Sequence, residues 1–348
     1  MEIFAMRVTT FGEIMLRLTV PDNQKLVQAT SFNANYGGAE ANVAVSLALL
    51  GDQAAFITKL PNNEIGDTAI SKLKAFGVDT SRIRRGGSRI GLYFLQQGVS
   101  QRASDVIYDR ATSAFATSEA ADYPWNQLLD QTDVFYISGI TAALSTNLQM
   151  ILLSAVKFCR NHAIKVIYDA NFRGKLWTSD QAVAFNPQIL PLVDVCLVHD
   201  EDIEQAFGIK AFQSANHQAI DQKATFKQAI TTLVAKFPNI TTVASILRNI
   251  HSPQSSQWMG IMNYQGQFYE SPIYDVEVLP EVAGGDAFGA AIVHGIGHNF
   301  NPQYQLDYAM AAAVLKLTIP GDFNLSSDAE IKAAMISNNG KGKNPVNR

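Results

Sequence analysis

From Asp133 onwards the chain alternates between short apolar runs rich in β-branched residues and longer segments with helical spacing. Strands are expected at Val134–Ser138, Lys165–Asp169 and Val195–Val198, with helices over Asn147–Asn161 and near Pro187–Leu192. A helix from Phe226 to Phe237 leads into a further strand, Thr242–Leu247. Strands that are apolar throughout, separated by helices, are what a mostly parallel sheet covered by helices on both faces requires. Ligands on such sheets bind beyond the carboxyl ends of the strands. That draws attention to Asp169-Ala170-Asn171-Phe172-Arg173, where Arg173 offers a planar fork to a carboxylate or phosphate, or else joins a surface salt bridge.

The first part of the chain fits the same α/β body, with strands at Arg7–Phe11 and Ala54–Lys59 and a helix over Ile65–Phe76. Two excursions interrupt it. Val20 to Asn35 is polar and carries a proline, and Ile90–Gln96 and Val106–Arg110 flank a polar connection as a hairpin would. Together they predict a small projecting sheet, with segments at about 13–36 and 88–112, and a lid of that kind excludes water from a reacting site. Near the other end, short strands Met259–Asn263 and Gln267–Tyr269 flank the turn Tyr264-Gln265-Gly266, and helices are expected at Leu306–Leu317 and Asp328–Ile336. One body over residues 1–336 is expected, followed by a polar tail, 337–348, read as disordered.

Two glycine pairs open helices. Gly37-Gly38 precedes Ala39 to Leu50, where Val43, Leu47 and Leu50 recur at helical spacing and Gly51 marks the stop. Glu40 and Asn42 lie in its first turn, placed to bond sugar hydroxyls or to cap the helix; spacing favours capping for Glu40. Gly284-Gly285-Asp286 precedes the small-residue apolar run Ala287 to Ile296. A helix start with unpaired amides is an anion cradle, and an aspartate beside it could take a proton from an attacking hydroxyl. An ordinary glycine turn with an N-terminal Asp accounts for the same residues, so this stretch alone leaves both readings open.

Of the 348 residues 47% are hydrophobic, ample for a large core, and the net charge of −4 gives no basic footprint for nucleic acid or an anionic membrane. Cys159 and Cys196 have no metal-ligand spacing and read as buried packing residues of a reducing compartment. Without a signal segment or an apolar run near the roughly 18 residues a bilayer needs, a cytoplasmic protein is expected. The GxxxxGK[ST] phosphate loop, the kinase H-R-D loop and the GxGxxG dinucleotide fingerprint are all missing. His294 and His298 stand four apart, but neighbouring Gly295 and Gly297 weaken the helix and no third ligand is near in sequence, so no metal-binding residue is assigned.

Taken together, Gly37-Gly38-Ala39-Glu40-Ala41-Asn42-Val43-Ala44 and Ala283-Gly284-Gly285-Asp286-Ala287-Phe288 resemble the two signatures of the ribokinase-like, or PfkB, family of carbohydrate kinases. Within it, Gly12 to Leu18, Gln28 to Phe32, Lys59 to Gly66, Val106 to Arg110 and Ile319 to Asn324 resemble the 2-keto-3-deoxygluconate kinases. The resemblance implies ATP- and Mg²⁺-dependent phosphorylation of a keto-deoxy sugar acid by a homo-oligomeric enzyme. It implies Asp286 as base, with the amides of Ala283, Gly284 and Gly285 as anion hole. Gly38, Asn42, Tyr93, Tyr108, Arg110, Arg173 and Asp322 would line the sugar site, and Asn171, Arg173, Ser245, Leu247 and Arg248 the ATP site. Arg110 and Arg173 suit a carboxylate, which a neutral sugar lacks. The chain departs from the pattern at Pro280 and Glu281, at Ala283, at Leu317, and at His199-Asp200-Glu201-Asp202, where His replaces Asn. Kinases for fructose, ribose or 2-keto-gluconate, and a sugar-acid-binding protein with impaired catalysis, are the alternative readings.

Overall fold

The computed structural model describes residues 6–212, 218–277 and 282–337. The chain opens with β1 (Arg7–Phe11), leaves it through β2 (Met15–Thr19) and β3 (Asn33–Gly37), and returns by α1 (Ala39–Leu49) to β4 (Gln53–Ile57). After α2 (Glu64–Ala75) comes the hairpin of β5 (Gly91–Gln96) and β6 (Asp105–Asp109). The regular alternation follows, with β7 (Val134–Ser138), α3 (Thr146–Asn161), β8 (Lys165–Asp169), α4 (Ser179–Ile189), β9 (Val195–His199), α5 (Lys223–Lys236) and β10 (Thr242–Ser252). Strands β11 (Ser255–Tyr264), β12 (Gln267–Glu270) and β13 (Tyr274–Glu277) precede helices α6 (Gly284–Gly297), α7 (Pro302–Lys316) and α8 (Asp328–Ser337).

The large sheet runs β12-β11-β10-β9-β8-β7-β1-β4, with β13 also pairing β11. It is parallel from β4 to β10 and antiparallel beyond. Both faces are buried, which is why its strands read as unbroken apolar runs. In β7, Phe135 and Ile137 enter one core under α3, α4 and α5, while Val134 and Tyr136 enter the other under α1, α6 and α7. The smaller four-stranded sheet runs β3-β2-β5-β6, and it joins the two excursions predicted from the sequence. Its edge strand β6 alternates exposed with half-buried residues.

Helix α6 is apolar nearly all round and lies buried beside α1 and α7, as a helix without a polar face must. Two expectations need correction. The helix placed near Pro187 begins earlier, at Ser179, where Thr178 and Gln181 form a capping box; Pro187 lies inside it, and Leu190–Leu192 continue as a 3₁₀ turn. The strand ended at Leu247 runs on to Ser252 and pairs β11 in a long hairpin, because polar residues past Arg248 continue the ladder beyond the core. Of the expected tail, 337–348, Ser337 closes α8, and the rest, with Pro280 and Glu281, lies outside the described residues. No helix among the described residues is long and apolar enough to cross a membrane.

Candidate active site

Register brings the carboxyl ends of three strands together. Asp169 pairs with Ser138 on one side and Leu197 on the other, so the ends of β7, β8 and β9 open onto a common edge. A cleft of about 420 Å³ lies there, closed from above by Met15, Tyr93, Val106 and Tyr108 of the small sheet. Its floor is the start of α6.

That start has no side-chain cap. The N-cap, Ala283, is left-handed (φ 73°, ψ 19°), and the first helical hydrogen bond is Ala287 N–H to Ala283 C=O, at 3.1 Å. The amides of Gly284, Gly285 and Asp286 precede that bond and so have no partner within the helix, at its positive end. Uncapped amides at a positive helix end are suited to an anion. A left-handed alanine is strained by roughly 1–2 kcal/mol, so Ala283→Gly is expected to raise stability by about 1 kcal/mol in a denaturant titration. An unchanged or lowered midpoint would show that the turn is not strained.

Asp286 projects from the same turn and is only 8% exposed. Asn42 Nδ2 donates to its Oδ2 at 2.6 Å, which ties the start of α1 to the start of α6. The Gly38 N–H in turn donates to Asn42 Oδ1 at 3.3 Å. A methyl on Gly38 would stand 1.9 Å from the Glu13 carbonyl oxygen, so only glycine lets α1 begin against the end of β1 and the start of β2. Burial pushes the Asp286 carboxyl up to about 6, against the Asn42 hydrogen bond and the Arg173 charge, which both lower it. Burial also pushes Glu40 and Asp169 up to about 7, and the Asp286 charge adds to both shifts. Glu40 is not a helix cap: it is buried, and Ser138 Oγ at the end of β7 donates to its Oε1 at 2.5 Å.

On the lid side, Tyr93 donates to Asp322 Oδ1 at 2.7 Å, and Arg17 Nε lies 3.1 Å from Asp322 Oδ2. Arg110 Nε donates to Glu13 Oε2 at 2.8 Å, and Ser113 Oγ donates to Glu13 Oε1. Its guanidinium stands 5.6 Å from the ring centre of Tyr108. Arg173, by contrast, is exposed and makes no ion pair among the described residues, yet it borders the same cleft. At the other end, Arg248 grips Asp200 with two hydrogen bonds of 3.0 and 2.6 Å. His199 covers the start of α6 so closely that a Cβ on Gly285 would fall 2.7 Å from its ring. Asp202 holds that segment by accepting from the amides of Phe172 and His199.

The cleft therefore brings together Gly38, Asn42, Tyr93, Tyr108, Arg110, Asn171, Arg173, Arg248, Ala283, Gly284, Gly285, Asp286 and Asp322, all singled out from the sequence. Ser245 and Leu247 do not line it. Both are buried within β10, Leu247 in the core, because side chains alternate between the two faces of the sheet and these two lie on the face opposite Arg248. Glu13 and Arg17 were missed as site residues, because their partners Arg110 and Asp322 are distant in sequence and no local spacing announces the pairs. The chemistry on offer is an anion held by backbone amides beside a carboxylate able to accept a proton.

Comparison with known proteins gives the family. A 2-dehydro-3-deoxygluconokinase from Thermotoga maritima is 40% identical, with a TM-score of 0.90 over 95% of this chain and 98% of its own. A PfkB family carbohydrate kinase from Listeria grayi is 33% identical, with a TM-score of 0.86 over 95% of this chain and 99% of its own. A 2-dehydro-3-deoxygalactonokinase from Haloferax volcanii is 26% identical over 94% of this chain and 96% of its own. The fold is thus ribokinase-like. Residues 5–329 match the profile of the pfkB family carbohydrate kinases, and the chain belongs to that family of sugar phosphotransferases.

Proposed function

We propose that the chain transfers the terminal phosphoryl group of ATP to the terminal hydroxyl of 2-keto-3-deoxygluconate, giving 2-keto-3-deoxy-6-phosphogluconate, with Asp286 as general base. The observation that carries this reading is the carboxylate of Asp286, pushed up to about 6, beside three uncapped helix amides. Such a group is mostly ionised at neutral pH yet basic enough to take a hydroxyl proton as the oxygen attacks. The amides of Gly284, Gly285 and Asp286 would meet the charge that develops on the phosphoryl oxygens.

The names of the Thermotoga maritima and Haloferax volcanii relatives support a keto-deoxy sugar acid as acceptor. Of the three arginines on the cleft, Arg110 is paired with Glu13 and Arg248 with Asp200, so Arg173 is the cation at liberty to meet the acid's carboxylate or a phosphate. The small sheet would cover the sugar, with Tyr93 and Tyr108 facing it, while Asn171 and Arg248 border the end assigned to ATP. Mg²⁺ fits the site. Asp169 Oδ1 is buried with no hydrogen-bond donor among the described residues, and a carboxylate oxygen of Asp169 lies within 4.8 Å of one of Asp202. Carboxylate oxygens are the hard donors the ion takes, so Asp169 and Asp202 would hold it. When bound, it would neutralise charge on the phosphates.

The test is ADP release with ATP, Mg²⁺ and a panel of 2-keto-3-deoxygluconate, its galactonate epimer, 2-keto-gluconate, fructose and ribose. Strongest turnover on a 2-keto-3-deoxy acid is expected, and turnover confined to fructose or ribose would discard the proposal. Arg173→Ala is expected to raise KM for the sugar acid roughly 10–100-fold, the worth of a charge-assisted hydrogen bond. Binding of the acid with no turnover in the wild-type chain would favour a sugar-acid-binding protein instead.

A further inference from the structure

At the far end of α6, about 12 Å along the helix from Asp286 at 1.5 Å per residue, three donor side chains converge. Asp52, in the connection from α1 to β4, directs both carboxylate oxygens at histidines of α6. His294 Nδ1 lies 2.7 Å from Oδ2, and His298 Nε2 lies 3.1 Å from Oδ1. The Asp52 side chain is fully buried, His294 nearly so, and the His298 side chain is 27% exposed. The two rings sit 4.1 Å apart between centres.

Nothing in the phosphoryl-transfer chemistry uses this cluster. A carboxylate with no access to water needs a compensating positive charge. Among the described residues, the only ionisable side chains in hydrogen-bond reach of Asp52 are these two imidazoles. Carboxylate and imidazoles thus turn their ligand atoms toward one point. We propose that Asp52, His294 and His298 form a binding site for a divalent transition-metal ion of the zinc class. Histidines at i and i+4 on one helical face are a proven chelating pair for such ions, and a carboxylate completes a three-residue set. One ligand atom from each residue lies within 4.8 Å of the other two, close enough for all three to reach one ion.

Two nitrogen donors select against Mg²⁺ and Ca²⁺, which take oxygen. The exposed edge of His298 supplies the entry path and leaves room for water as a fourth ligand. The consequence is mechanical. The ion would join α6 to the end of α1, and those two helices carry Asp286 and Asn42 at their opposite ends. The sequence spacing alone hid this site, because Asp52 stands 242 positions from His294.

The experiment is titration of the chelator-stripped full chain with Zn²⁺ by calorimetry, and with Co²⁺ by visible absorption. One equivalent is expected to bind, with a tetrahedral Co²⁺ spectrum and a rise in thermal midpoint. His298→Ala is partly exposed and so tolerable to the fold, which circular dichroism checks. It is expected to weaken binding by roughly 100-fold or more, beyond the 10–100-fold lost with a merely supporting residue. The cleft offers a competing set in Asp169, His199 and Asp202, so His199→Gln is the control, expected to retain the site. Equal affinity in wild type and His298→Ala, loss in His199→Gln instead, or no bound equivalent in the wild type would each overturn the proposal.

Discussion

Asp286→Asn is expected to lower kcat by roughly 10²–10⁴-fold, the usual contribution of a general base, while leaving the affinity for ATP near that of the wild type. The same variant is expected to be more stable than the wild type at pH 8. The carboxyl is pushed from its ordinary 3.8 to about 6 by burial, beside Glu40 and Asp169, which are also pushed up. A carboxyl raised in the folded state contributes stability that is fully present below its unfolded value near 4 and is lost as pH rises through about 6. At about 1.4 kcal/mol per unit, the ionised group costs on the order of 2–3 kcal/mol at pH 8. Asparagine escapes that cost and can still accept the hydrogen bond from Asn42. Thermal midpoints of both proteins at pH 4.5 and pH 8 check this, with the gain expected only at the higher pH.

The two readouts separate chemistry from folding. A variant that is inactive and less stable would mean a damaged site. One that is inactive and more stable is the pattern of a residue kept for function at a cost to the fold. Wild-type turnover would remove Asp286 from the role of base. In the wild type, kcat/KM is expected to rise about tenfold per pH unit below about 6 and to level off above it, because the ionised form is the active one.

What the sequence made legible follows from the range of the forces involved. Strands Val134–Ser138 and Lys165–Asp169 were expected at the ends the structure has, because each is buried on both faces and bounded by polar residues. The glycine-led starts of α1 and α6 were legible because backbone constraint is local. The start of α4 was misread, since Pro187 looks like a beginning and the actual signal is the pair Thr178 and Gln181. The site's polar pairings were the least legible part. Tyr93 and Asp322 are 229 positions apart, and Glu13 and Arg110 are 97 apart, joined only by the folding of the small sheet onto the body. The resemblance pointed to two arginines suited to a carboxylate, but not to the glutamate that one of them already holds.

That pairing makes Glu13 the residue whose loss should unsettle the lid most. Its side chain is 2% exposed and that of Arg110 5%. Glu13→Ala leaves a guanidinium that cannot lose its proton in a site with little water, and removing one partner of such a pair costs about 3–5 kcal/mol. Urea denaturation is expected to register that loss. Glu13→Gln should cost less, because the amide oxygen still accepts from Arg110 or Ser113. The double variant Glu13→Ala with Arg110→Ala is expected to recover part of the deficit, since an apolar pair buries no unmatched charge. If the single and double variants were equally destabilised, the charge left behind would not be the cause, and the cavity would. The functional consequence follows from the same geometry. Glu13 sits between β1 and β2 where the chain crosses from body to small sheet, so it fixes Arg110 and, through the 5.6 Å contact, Tyr108 over the cleft. Without the Glu13 charge, which Gln lacks, Arg110 becomes a second unneutralised cation at the sugar end. Glu13→Gln should therefore change KM for the sugar acid more than kcat, whereas Asp286→Asn should do the reverse.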